Sequence, residues 1–147
     1  MKVICPMLLN SSVHKNRTEI INHLIFRGIK VDTAHYWGKD YYKAIKDADV
    51  VINVHGDTVE EACNLRLFQT TGIGTCLLTD NLPGLDKLFR TGMEVVVFQN
   101  KNDCYDKIKF LEENPVVRET IALAGQSRTL KEHTTKKRWE KWNEIGR

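Results

Sequence analysis

Residues 50–79 read VVINVHGDTVEEACNLRLFQTTGIGTCLLT. Two short apolar runs, Val50–Val54 and Cys76–Thr79, bracket a segment of helical period. Apolar runs of this length, with Asp49 before the first and His55-Gly56 after it, fit strands buried on both faces. Between them, Leu65, Phe68 and Leu67 can face a sheet from a helix over Glu60–Thr71 that Gly72 ends. Strand, helix, strand at this spacing reads as a βαβ unit with parallel strands.

The alternation extends in both directions. Upstream, Lys2–Leu9 reads as a first strand rather than a signal peptide, because no small-residue cleavage site follows it. Arg17–Arg27 reads as a helix with Ile20, Ile21, Leu24 and Ile25 on one face, and Gly28 follows as its left-handed cap. Lys30–Thr33 is a short strand and Tyr41–Lys46 a short helix. Downstream come a helical turn at Leu85–Phe89, a strand at Glu94–Phe98, and helices at Asn102–Glu113 and Val116–Glu132 on either side of Asn114-Pro115. The expected fold class is α/β: a Rossmann-like, three-layer parallel sheet in a single domain over residues 1–147. Within it, residues 134–147 form a basic C-terminal helix.

Composition agrees with one domain. The chain has 147 residues and 17.0 kDa, enough to bury a core without disulfides or metal. No apolar run approaches the roughly 20 residues of a membrane helix. Net charge is +3, but the last twenty residues hold seven Lys/Arg against three Asp/Glu. The rest of the chain carries fifteen against sixteen. A nucleic-acid binder spreads basic charge over a face of its fold, so this distribution argues against one. A basic-tail binder would show steep salt dependence. Cys5, Cys63, Cys76 and Cys104 form no C-x-x-C pair and read as reduced core thiols of a cytoplasmic protein.

Parallel sheets bind ligands beyond the carboxyl ends of their strands. There is no G-x-G-x-x-G and no P-loop; the first turn reads NSSVHKNR. Ser11, Ser12 and Asn16 are candidate caps there. Lys15 and Arg17 place cations at a helix N-terminus, which is either a phosphate site or a solvated cap. His55 alone among five scattered histidines sits immediately past a buried strand, where it is either structural or within a ligand's reach. His35-Tyr36-Trp37 also follows a strand, and either stacks on a base or lies partly buried beside the sheet edge. Glu61 and Gln69 on one helix would stand about 80° apart and about 12 Å along the axis, with Asn64 and Arg66 between them. No acidic, histidine or cysteine spacing suits a metal.

Two longer runs carry a resemblance. NLRLFQTTGIGTCLLTDNLPGLDKLFRTGMEVVVF (residues 64–98) resembles the C-terminal half of group 1 glycosyltransferases, in the CgeB-like (spore maturation protein-like) branch. AGQSRTLKEHTTKKRWEKW (residues 124–142) is similar to the ending of that family. The resemblance runs from Val50 to Trp142 and more weakly back to Met1. It implies a GT-B architecture of two Rossmann-like domains across a cleft, with no essential metal and no cofactor. This chain would be the domain that binds the nucleotide-sugar donor. The family's E-x7-E element places its first Glu on the sugar and its second on the ribose, here Glu61 and Gln69. Gln69 departs from the pattern and lacks a carboxylate's charge-assisted strength. Lys15, Arg17 and Arg66 would neutralise the diphosphate, with His55 and Asn64 completing the donor site. The acceptor and the catalytic base would come from an N-terminal domain, either on another chain or on a longer protein of which this is a fragment, so no catalytic residue is named and the half-enzyme is not active alone. The family's last helix crosses onto that domain, where Trp139 and Trp142 could dock. The rival reading is a non-catalytic interaction module with a degenerate donor site.

Overall fold

A computed structural model describes residues 1–146. Its strands are β1 (Val3–Ile4), β2 (Val31–Asp32), β3 (Val50–Asn53), β4 (Cys76–Asp80) and β5 (Val96–Phe98). Its helices are α1 (Lys15–Phe26), α2 (Gly38–Lys46), α3 (Leu65–Ile73), α4 (Leu85–Leu88), α5 (Lys101–Glu113), α6 (Pro115–Glu132) and α7 (Thr135–Ile145). All strand pairings are parallel, in the order β2-β1-β3-β4-β5. Val50 is the hub of the register, opposite Val3 on one side and Cys76 on the other.

The period-2 alternation of β3 divides the core. Val50, Ile52 and Val54 pack with Ile20, Ile21 and Leu24 of α1 and with Ile108 and Leu111 of α5. Val51 packs with Ala44 and Ile45 of α2 on the other face. In β4, Leu78 joins the first group, while Leu77 packs with Leu67 of α3 and with Phe89. Side chains on both faces are fully buried, as a sheet covered on both sides requires. No described helix is long and apolar enough to cross a membrane.

Several boundaries differ from the sequence reading. β1 is not Lys2–Leu9 but stops at Ile4. Pro6 cannot donate to a ladder, and Met7 N–H folds back onto the Cys5 carbonyl at 2.7 Å. α3 does not begin at Glu60. Asn64 caps it by accepting from Leu67 N–H, and Ala62 N–H is drawn to the Pro83 carbonyl at 3.0 Å. Residues 60–64 are therefore loop. Nor does Gly72 end the helix; Gly74 does, in the left-handed conformation at φ 92°. Gly28, at φ 86°, follows α1 as expected. In the basic C-terminal segment α7 starts after Thr134, whose hydroxyl accepts from Lys137 N–H. Arg147 of the expected helix lies outside the described residues.

All four cysteines are free. Burial pushes the Cys5 thiol up to about 11 and Cys76 to about 12, and raises Cys104 as well. Cys63 is exposed in the loop before α3 and is not a core thiol.

Candidate functional site

The carboxyl ends of β1, β3 and β4 meet the first turns of α1 and α3. α3 is anchored there by a line of amides. Asn64 Nδ2 donates to Asn53 Oδ1 at 2.9 Å, and Asn53 Nδ2 donates to Thr79 Oγ1 at 3.0 Å. Because Asn53 is fully buried, each polar group needs its partner. The line ties the helix start to the two central strands.

From this anchor Arg66 and Gln69 project into a surface concavity of about 470 Å³. Its other wall comes from the turn after β2 and the start of α2: Tyr36, Trp37, Gly38, Tyr41 and Tyr42. Tyr36 is held by a hydrogen bond from its hydroxyl to Asp32 Oδ2. That bond, with one from Ala34 N–H, keeps the Asp32 carboxyl below its usual range. Trp37 is 76% exposed, so it is not partly buried beside the sheet edge. His35 meets its ring edge-on at 4.4 Å. Tyr41 hydroxyl donates to Gln69 Oε1 at 2.9 Å, which turns the Gln69 N–H groups outward. Arg66 Nε is buried and has no hydrogen-bond partner among the described residues.

Asn64, Arg66 and Gln69 thus line one concavity. Glu61 does not join them in this concavity. It is exposed in the loop before α3, so it shares no helix with Gln69 and the helical spacing between them does not apply.

The remaining candidates sit around the exits of β1 and β3. Arg17 is only 6% exposed. Its guanidinium donates to the Leu8 carbonyl at 2.9 Å and the Val54 carbonyl at 3.0 Å. Burial draws the Arg17 pKa down. It is a strut between two strand exits rather than a free cation. The N-terminus of α1 is not capped by Ser11, Ser12 or Asn16. The Ser12 hydroxyl is turned to Asn10 Oδ1, and the Asp57 carboxylate takes the Lys15 N–H at 2.8 Å and the Asn16 N–H at 3.3 Å. The expected anion position at Lys15 therefore already holds a carboxylate of the same chain. His55 is buried, with its backbone N–H and Nδ1 both on the Asp80 carboxylate. The two groups of residues adjoin, since the charges of Arg17 and Arg66 both act on the Cys5 thiol. No cluster of metal-ligating side chains occurs among the described residues.

The residues that sequence reasoning missed are Tyr41, Tyr42, Asp57 and Asp80. A pair of tyrosines in the first helix after β2 was a usable signal. The partners of Asp57 and Asp80 lie 42 and 25 residues away and had none.

Residues 17–144 match a protein-family model described as glycosyl transferase-like. No curated protein matches the chain by sequence. Among solved structures, a glycosyltransferase from Rickettsia africae ESF-5 superposes with a TM-score of 0.67 at 12% identity, over 89% of this chain and 35% of that one. Anabaena Alr3699/HepE in complex with UDP gives 0.64 at 14%, over 88% and 35%. Its complex with UDP-glucose gives 0.62 at 13%, over the same shares. The C-terminal domain of the group 1 glycosyl transferase LpcC from Francisella tularensis gives 0.58 at 11%, over 81% and 63%. The fold is that of the C-terminal halves of GT-B proteins, and the chain spans about a third (35%) of the length of the first two relatives.

Proposed function

Because the chain belongs to the glycosyl transferase-like family, we propose that it binds the nucleotide-sugar donor of a metal-independent glycosyltransferase. A single observation carries the reading. The concavity at the strand ends gathers Asn64, Arg66 and Gln69 opposite exposed aromatic rings. An aromatic face suits a base, an amide suits a ribose hydroxyl, and a guanidinium suits a phosphate. The likeness to a protein solved with UDP and UDP-glucose supports a donor of that class.

In this reading Trp37 or Tyr42 stacks on the base and Gln69 donates to the ribose. Arg66 holds the diphosphate, helped by Lys15 and, at longer range, by Arg17. Glu61 reaches the sugar from its loop, while His55 and Asn64 complete the site. Charge builds on the leaving diphosphate as the glycosidic bond to it breaks, and fixed cations are most effective against charge that develops in the transition state. The acceptor and the catalytic base belong to an N-terminal domain supplied by another chain or another segment. Both reactants must be held in near-attack geometry, which a half-cleft does not provide. The whole described chain serves as one domain of the CgeB-like branch, working in the cytoplasm.

Titration with UDP-glucose, followed by calorimetry and amide chemical shifts, tests this. Binding should move the amides of residues 36–42 and 64–69. Arg66→Ala should weaken it by about tenfold or more, the loss of one charge-assisted contact. Binding unchanged in Arg66→Ala sinks the assignment of that residue. No binding, together with capture of a protein partner, favours the non-catalytic module.

A further inference from the structure

His55 is fixed by one carboxylate at two points. Its backbone N–H donates to Asp80 Oδ2 at 3.0 Å, and its Nδ1 meets Asp80 Oδ1 at 2.6 Å. Together these set the position and the plane of the ring. Nδ1 therefore carries a proton, and Nε2 is the ring nitrogen left for another partner. Nε2 is buried and has no hydrogen-bond partner among the described residues, in a residue only 3% exposed. A buried ring nitrogen without a partner is costly unless a ligand or water meets it.

The charges around Arg17, which lies beside the pair, are nearly balanced. Arg17 from α1 donates to the carbonyl of Val54, the residue before His55. Its guanidinium senses Arg66 from α3, Asp57 from the loop after β3, Asp80 at the end of β4 and the Cys5 thiol after β1. The cluster thus holds two guanidinium groups and two carboxylates. A proton on Nε2 tips the cluster positive. The cluster lies where the strand order turns between β1 and β3, the switch point at which open parallel sheets hold ligands.

We propose that Asp80 and His55 form a proton-holding dyad. It takes up a proton at Nε2 when the diphosphate of a nucleotide-sugar arrives, and donates that N–H to a phosphate oxygen. The inference rests on the donor-binding reading above. Asp80 acts through His55 and is a positioning residue. The proton comes from solvent, and no bond to phosphorus or carbon changes in this step. Because Nε2 is buried, a phosphate oxygen reaches it only after a local opening. Segment 56–64, which follows His55, belongs to no helix or strand, and its Asp57 carboxylate rests on the Lys15 and Asn16 amides that a phosphate would also suit.

UDP-glucose is the probe, because its diphosphate diester has no proton of its own to exchange near neutral pH. Calorimetry of the whole chain in buffers of different ionisation enthalpy should show proton uptake on binding, with affinity falling as pH rises. His55→Gln should abolish the uptake. Asp80→Asn should remove most of it and weaken binding about tenfold, with Asp80→Glu restoring part. The wild-type proton count and the imidazole nitrogen shifts of His55 decide the matter even where a variant fails to fold. Binding without uptake, or with uptake unchanged in His55→Gln, overturns the dyad and leaves the donor site standing. No UDP-glucose binding at millimolar concentration overturns the donor reading and the dyad with it.

Discussion

The two ends of α3 are built on opposite plans. At its N-terminus, half-buried Asn64, Arg66 and Gln69 face a concavity, and Arg66 Nε has no partner. At its C-terminus the groups that face α6 are closed, although the buried Thr70 hydroxyl has no partner among the described residues. The Thr71 hydroxyl donates to the Leu67 carbonyl at 2.7 Å and lies 2.6 Å from the Thr129 hydroxyl of α6. Gly72 packs on Thr129, and the Gln126 amide donates to the Gly72 carbonyl. One short helix is clamped at the end away from the site so that it can present polar groups at the other. Substitutions at the closed end should change stability and leave ligand affinity alone. Those at the open end should change both, or affinity alone.

Asn64→Ala should have the largest effect, because it removes the cap of the open end and also orphans the buried Asn53 Oδ1. Loss of a cap costs about 1 kcal/mol, and an unpartnered buried acceptor about 2 kcal/mol more. Denaturant unfolding should show a loss of about 3 kcal/mol, with weaker UDP-glucose binding in the fraction that remains folded. A loss no greater than a simple cap would break the claim that the amide line ties α3 to β3 and β4.

Gly125→Ala is the matching change at the closed end. A Cβ there would lie 2.4 Å from the Glu94 carbonyl oxygen, a backbone atom that cannot swing away. Alanine gains about 1 kcal/mol of helix propensity, while overpacking of this kind costs about 3 kcal/mol. A net loss of about 2 kcal/mol follows from the difference. Binding of UDP-glucose to the folded protein should be unchanged, and a change in it would show that the two ends are coupled.

The same contrast explains what was legible in the sequence. The sheet was readable because VVINV and CLLT carry their burial in their own composition. The closed end was half-readable, since a glycine was due after α3, but Gly72 and Gly74 compete. Only the packing of α6 decides between them, leaving Gly72 against Thr129 and Gly74 as the cap. At the open end the residue types were visible and their arrangement was not. Asn64 falls inside the helix expected over Glu60–Thr71, and it becomes the cap only because Ala62 bonds Pro83 and the helix starts later. Arg17 looks like a phosphate ligand from its place in the first helix, yet the carbonyls of Leu8 and Val54 claim it. The pairing of Tyr41 with Gln69 spans 28 residues and the whole of β3 between their two helices.

Thr129→Val removes one half of the buried hydroxyl pair. Thr71 keeps its bond to the Leu67 carbonyl, so no donor is left stranded. The loss should be about 1 kcal/mol, the ordinary net value of one hydrogen bond, read as a lower unfolding midpoint with affinity intact. A larger loss would mean that Thr71 depends on Thr129 for its rotamer, and that the closed end is a coupled unit.

Tyr41→Phe should have the smallest effect on stability, below about 1 kcal/mol, because its bond to Gln69 is only part-buried. Its value lies in the sign of the change in affinity. While the Tyr41 hydroxyl holds one lone pair of Gln69 Oε1, the amide chiefly offers a ligand its N–H groups. If a ribose oxygen accepts from those groups, freeing the amide lets it swing away, and UDP-glucose should bind about threefold more weakly. That is the expected outcome. Tighter binding would mean that the ligand needs the carbonyl oxygen and that Tyr41 competes for it. Gln69 would then act as an acceptor, the polarity of a carboxylate at that position, and Tyr41 would be the residue that holds the open end of α3 below its full affinity.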